Sequence, residues 1–374
     1  MDRPPRSAPQ LAMTAALLAW AAAPPSMAPG WSLRAREALR SDGRNPADTE
    51  RMERGYYEAL ADSDRRLDRA GRDSPGSPRP DFGPLTVPVA DVREYVLRPG
   101  VRAEHRGARW STNARGMRDR EHDVIKPAHT FRIAMAGDSI GAGWGVDDGR
   151  GFDSIWEHIL NNRSVAAGGP AVEVLNHAVP GHAPGQRREH LDREGWAGSP
   201  DLVVFQGTPA DFGWDDRKLR SLLPRGVGWD AGAYRDALAR SGARPGGDEA
   251  SYRDILRPHR AAILGGVYRA VVADCRSRGV PGVWLLLPRV GKPTPPADRA
   301  RLVGMARAAG FDAVVDLSDA FDGLDPSALA IGPDDFHPDA AGHDRLARRL
   351  DEATREYLDP ILTNPKPDPG GDRR

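Results

Sequence analysis

Two stretches of this 374-residue chain carry residue types that can do chemistry together. One is Gly137-Asp138-Ser139, where an apolar run, Ile133 to Ala136, stops at a glycine, an acid and a serine. The other is Asp334-Asp335-Phe336-His337-Pro338, near the far end. A serine hydroxyl is a weak nucleophile until a base takes its proton. A histidine whose ring is oriented by a nearby carboxylate is such a base. Asp334 and His337, three residues apart in a tight loop, suit that pairing; spacing alone selects Asp334 over Asp335. The chemistry this predicts is acyl transfer, with Ser139 as nucleophile, His337 as general base and Asp334 holding the imidazole tautomer.

These groups need a rigid frame, and the pattern predicts one. The run Phe131–Ala136 reads as a buried strand, a glycine-rich turn follows, and Asp153 to Asn162 reads as a helix, with Ile155/Ile159 and Trp156/Leu160 four apart. Ser139 then lies at the carboxyl end of the first strand, where open α/β sheets bind their ligands. Further strands are expected at 172–177, 202–206, 283–287 and 313–317, with helices at 184–195, 254–278, 298–309 and 339–358. Short strands separated by helices predict a parallel sheet covered on both faces. The fold class is therefore α/β: a three-layer α/β/α domain with a five-stranded parallel sheet in flavodoxin-like order, preceded by a small irregular extension. The stretch from Phe212 to Gly247, rich in Gly, Pro and Arg, reads as a long loop, a lid or wall over Ser139 if functional.

At these residues the chain resembles the SGNH/GDSL hydrolase superfamily. Gly137-Asp138-Ser139 is similar to its nucleophile block, Asn176-His-Ala-Val-Pro-Gly181 to its second block, and Asp334-Asp-Phe-His337 to its terminal Asp-x-x-His block. Asn113-Ala-Arg-Gly116-Met-Arg118 is similar to a lead-in of many secreted bacterial members. The resemblance covers roughly Asn113 to Leu358. It implies that the N–H groups of Ser139 and Gly181 hold the oxyanion, and that no metal or organic cofactor is needed. It also implies a small-molecule or carbohydrate ester as substrate, a short acyl group such as O-acetyl being preferred. One block departs. Where the family has an asparagine whose amide donates to the oxyanion, counting from Pro200-Asp201 reaches Ala210, within Gln206-Gly-Thr-Pro-Ala-Asp211. Losing one such donor typically costs about 10²–10³ in rate. The alternative is therefore a weakened or inactive relative that binds a glycan or partner.

Composition removes several other classes. Lys plus Arg and Asp plus Glu are 53 each, so no basic field points to nucleic acid or an anionic membrane. Cys275 is the single cysteine, which excludes an intrachain disulfide. Residues 1–28 read as a secretory signal: Arg3 and Arg6, an apolar run from Leu11 to Ala23, and a small-residue cleavage site at Ala21–Ala23 or Ser26–Ala28. That run is too short for an ordinary membrane span. The protein is thus expected to be secreted or periplasmic, with an uncleaved signal anchor as the lesser alternative. Residues 29–125 are read as the extension, comprising an amphipathic helix over Asp48–Ala70, a linker and short β pieces; 126–360 as the catalytic domain; 361–374 as a disordered tail. Three other readings are weaker. Gly137-x-Ser139-x-Gly141 fits a nucleophile elbow, but Ser139 follows the first strand. The glycines at 141, 143 and 145 lack dinucleotide-loop spacing. Asp334, Asp335 and His337 with His177 or His182 have no paired metal-ligand spacing.

Overall fold

Strands β5 (Thr130–Ala136), β6 (Ala171–Asn176), β7 (Leu202–Gly207), β8 (Gly282–Leu286) and β9 (Ala313–Asp316) form one parallel sheet in the order β6-β5-β7-β8-β9. The structure is a computed structural model and describes residues 83–333 and 335–363. The expected signal, the 48–70 helix and the residues after 363 lie outside the described residues. The sheet is held in register by pairs such as Met135↔Asn176 and Ala136↔Phe205.

The central strands are mostly apolar because both faces are covered, with Arg132 of β5 and Gln206 of β7 buried among them as hydrogen-bonded exceptions. Successive side chains point to opposite faces, so Ile133 and Met135 of β5, Val204 of β7 and Leu285 of β8 enter one core. Ala134, Ala136, Phe205 and Trp284 enter the other. Helices α1 (Phe152–Ala166) and α8 (Ala340–Thr363) cover the first face with Phe152, Trp156, Leu160, Leu346 and Leu350. On the second face lie α2 (Pro184–Glu194), α3 (Trp214–Leu222), α4 (Arg235–Ser241), α5 (Glu249–Leu256), α6 (Arg260–Ser277) and α7 (Pro296–Ala309). This is the expected three-layer α/β/α arrangement.

Three expectations are corrected. The 212–247 stretch is no long loop: it contains α3 and α4, and Leu219, Leu223, Ala237 and Leu238 are buried in the second core. The helix expected over 254–278 begins instead at Glu249, where the Asp248 side chain accepts from Ser251 N–H. It breaks at 257–259, where Pro258 removes a backbone donor, and resumes as α6. Helix α8 runs to Thr363 with Leu362 buried, so residues 361–363 belong to the fold rather than to a tail.

Ahead of the sheet, β1 (Thr86–Pro88) pairs antiparallel with β2 (Tyr95–Leu97), and β3 (Arg102–His105) with β4 (Ala108–Ser111). Both hairpins share a third core, in which Leu85, Tyr95, Leu97, Val101 and Trp110 meet Ala142, Trp144, Ala178 and Val179. The last four lie in the loops that leave β5 and β6. The N-terminal segment is thus seated on the carboxyl edge of the sheet.

Candidate active site

Ser139 lies just past β5, two residues after Gly137. Glycine is required there by close approach: a Cβ on Gly137 would come within 2.3 Å of Gln206 Oε1, and one on Gly141 within 2.4 Å of the same atom. Gln206, fully buried at the end of β7, donates to Asp138 Oδ1 at 2.5 Å and accepts from Asp138 N–H at 3.1 Å. Asp138 also accepts from Ile140 N–H at 3.0 Å. This carboxylate therefore shapes the turn and leaves the exposed hydroxyl to Ser139.

His337 Nε2 is 2.8 Å from Ser139 Oγ. Its Nδ1 is 2.6 Å from Asp335 Oδ1, the oxygen that also accepts His337 N–H at 2.9 Å. Spacing selects Asp334, which lies outside the described residues; among the described residues the carboxylate set against the imidazole is that of Asp335. An acid two residues before the histidine closes a local turn on the backbone N–H and reaches the ring with the same oxygen. Burial alone would raise the Asp335 pKa. The hydrogen bonds from His337, with the charge of Arg106, outweigh it and hold the carboxyl below its ordinary value. Phe336 stacks on His337 at 4.3 Å between centroids, and Trp144 lies 6.2 Å away on another side.

Gly181 follows the second strand with φ 79°, a conformation that favours glycine. The Tyr95 hydroxyl donates to Pro180 O at 2.8 Å. That carbonyl and the Gly181 N–H belong to one planar peptide, so fixing the first fixes the second. Among the described residues no acceptor takes the N–H of Ser139 or of Gly181. Both residues are partly exposed, whereas their immediate neighbours are buried. Asn176 shapes the same turn, donating to Gly141 O at 3.0 Å and Asp153 Oδ2 at 2.8 Å, and accepting from Ala178 N–H.

At the third loop Ala210 is partly exposed and carries no side-chain donor. Thr208 does not substitute for the missing amide, because its hydroxyl donates to Asp211 Oδ1 at 2.9 Å. Asp211 is fully buried and paired with Arg187 at 3.1 Å. Arg187, from the first turn of α2, also meets Asp138 at 3.3 Å and donates to Gln206 O and His182 O. One buried guanidinium thus ties together the loops after β5, β6 and β7, and satisfies two carboxylates that burial would otherwise penalise.

Sequence reasoning missed Arg187, Tyr95 and Arg106. It quoted Arg118 only as part of a lead-in; its guanidinium donates to the carbonyls of Ala142, Gly143 and Val146 and lies 4.0 Å from the Trp110 ring. His343 is structural: Nδ1 accepts from Phe152 N–H at 3.1 Å, and burial pushes its pKa down to about 3. His177 and His182 are buried beside His190, with ring centroids 6.0 Å apart in each pair. Among the described residues no group of three His, Cys, Asp or Glu is arranged to hold a metal ion.

A parallel sheet in this order, with a hydrogen-bonded serine and histidine at its carboxyl edge, defines an SGNH-like α/β fold. Residues 135–345, more than half of the chain, match the model of the GDSL-like Lipase/Acylhydrolase family, and the chain belongs to that family. It is a hydrolase acting on ester bonds. Among solved structures it is similar to the psychrotrophic esterase EstA from Pseudoalteromonas sp., at 14% identity over 61% of this chain and 98% of that one, TM-score 0.38. It is similar to TesA at 19% identity over 62% and 99%, TM-score 0.38. A third is the acetyl xylan esterase AlAXEase, at 14% identity over 60% and 99%, TM-score 0.37. No curated protein matches the sequence.

Proposed function

We propose that the protein is an exported serine esterase that hydrolyses short-chain acyl esters, O-acetyl groups on carbohydrate among them, through Ser139, His337 and Asp335. The observation that carries this reading is the continuous relay of 2.8 Å from Ser139 Oγ to His337 Nε2 and 2.6 Å from His337 Nδ1 to Asp335. His337 takes the serine proton as Oγ attacks the ester carbonyl, and Asp335 stabilises the imidazolium that forms. The N–H groups of Ser139 and Gly181 hold the oxyanion. The alkoxide then leaves with the proton from His337, and water, activated by the same imidazole, hydrolyses the acyl-enzyme.

The preference for a short acyl group rests on the family resemblance. Export is supported by the signal-like composition of residues 1–28. Among the described residues no helix is long and apolar enough to cross a membrane. The intact relay favours a catalyst over a glycan-binding descendant, with Ala210 setting a lower rate than a third donor would give. Turnover of p-nitrophenyl acetate by the purified protein tests the reading. Activity is expected to fall to background in Ser139→Ala, and equal rates in both proteins would refute it.

A further inference from the structure

We propose that Arg106, at the tip of the β3–β4 hairpin, is a positioning residue for ester hydrolysis: its guanidinium fixes the Asp335 carboxylate and, through it, the His337 imidazole. This rests on the Ser139–His337–Asp335 reading. The two oxygens of Asp335 are divided between partners. Oδ1 takes His337 Nδ1 and N–H, and Oδ2 takes Arg106 Nη1 at 3.2 Å. A carboxylate held at both oxygens keeps its plane, and so the direction in which it orients the ring. The Asp335 side chain is 10% exposed and that of Arg106 36%, so the pair is screened on one side only.

The backbone at the tip supports a role beyond folding. Arg106 and Gly107 form the two-residue connection, with φ of 53° and 75°. Two consecutive positive φ values make the turn that prefers Asn, Asp or Gly at its first position. An arginine is strained there, and such strain is a pointer to function. The hairpin is held on the nucleophile side of the site. Arg109 N–H donates to Asp147 Oδ1, Ser111 N–H and Oγ donate to Asp148, and Trp110 packs edge-on to Trp144 at 5.6 Å. The Arg106 guanidinium itself lies 5.4 Å from the Trp144 ring centre.

The charged and titratable groups around His337 come from several elements. Asp335 lies on its own loop, Arg106 on the hairpin, and His343 in the first turns of α8. Arg289 and Lys292, after β8, lie over the Phe336 ring that stacks on His337. His105 packs on Trp144. Among the described residues Arg106 forms an ion pair with the Asp335 carboxylate. Removing it leaves that carboxylate free to favour a protonated imidazole, so the acidic limb of the pH–rate profile moves upward.

Two variants test this with p-nitrophenyl acetate as probe over about pH 5 to 8. Arg106→Asn removes the cation and installs a residue that the turn prefers; Arg106→Lys keeps a cation. In Arg106→Asn kcat is expected to fall about tenfold with KM nearly unchanged, and the acidic limb of kcat/KM to rise by about half a pH unit. Its thermal midpoint is expected to equal or exceed that of the unsubstituted protein, and Arg106→Lys to recover most of kcat. An Asn variant with unchanged kcat and limb overturns the proposal. So does a loss of activity with an unmoved limb and no recovery by lysine. Undiminished turnover in Ser139→Ala, measured alongside, is a separate outcome that overturns the serine reading and this proposal with it.

Discussion

Tyr95 and Pro180 are 85 residues apart in sequence, and the phenol of the first donates to the carbonyl of the second at 2.8 Å. The contact sets the plane of the Pro180–Gly181 peptide, whose N–H is assigned to the oxyanion. Tyr95→Phe keeps the ring in the third core and removes the bond. A mis-set donor costs less than a deleted one, so kcat is expected to fall about tenfold, with KM little changed. Steady-state kinetics check this; an unaltered kcat would mean that the turn holds Gly181 unaided.

Ala210 leaves the third oxyanion position without a side-chain donor. Ala210→Asn is expected to raise kcat by about tenfold or more toward the value typical of a complete hole. The same kinetics decide it. An unchanged kcat would show that the turn from Thr208 to Asp211 directs position 210 away from the reacting carbonyl.

Much of the frame was legible because its causes are local. β5, β7 and β8 are mostly apolar because both faces are covered, and the glycine that follows β5 announces the turn at Ser139. Pro258 does not announce the break because helical periodicity continues on both sides of it. The 212–247 stretch reads as a loop because glycine and proline mask two short helices. Asp334 and Asp335 are adjacent acids, and spacing alone does not show that Asp335 meets Nδ1. The contacts of Tyr95, Arg106 and Arg187 join distant segments; Arg106 and Asp335 are 229 residues apart, and no pattern in one chain encodes such a pair.

Buried titratable groups make stability depend on pH. Burial lowers His177, His182 and His343 to about 3, and puts His190 well below its ordinary value. Their contribution is present above the unfolded pKa near 6.5 and is lost as pH falls from there toward about 3. Four carboxyls act oppositely: burial raises Asp153, Asp215, Glu157 and Asp211. Asp153 is raised to about 6 by burial and the charge of Asp119, and Asp215 to about 7, chiefly by burial. The contribution of these last two is present below about 3.8 and lost as pH rises through 6 to 7. The two sets of groups oppose each other between about pH 6 and 4, the buried histidines losing and the raised carboxyls gaining stability as pH falls. Asp153→Asn is expected to stabilise the protein by about 2–3 kcal/mol at pH 8 and by less at pH 5. Denaturant titrations at both values check it; destabilisation at pH 8 would mean that the Asp153 charge is compensated in the fold.

The central claim, that Ser139 is the nucleophile activated by His337, is tested most directly by covalent labelling. The native full-length protein is treated with a fluorophosphonate probe, and the adduct is located by peptide mapping. The account predicts a single adduct on the peptide that contains Ser139, lost in His337→Ala. Ester turnover with no adduct on that peptide, or an adduct on a different serine, would contradict it.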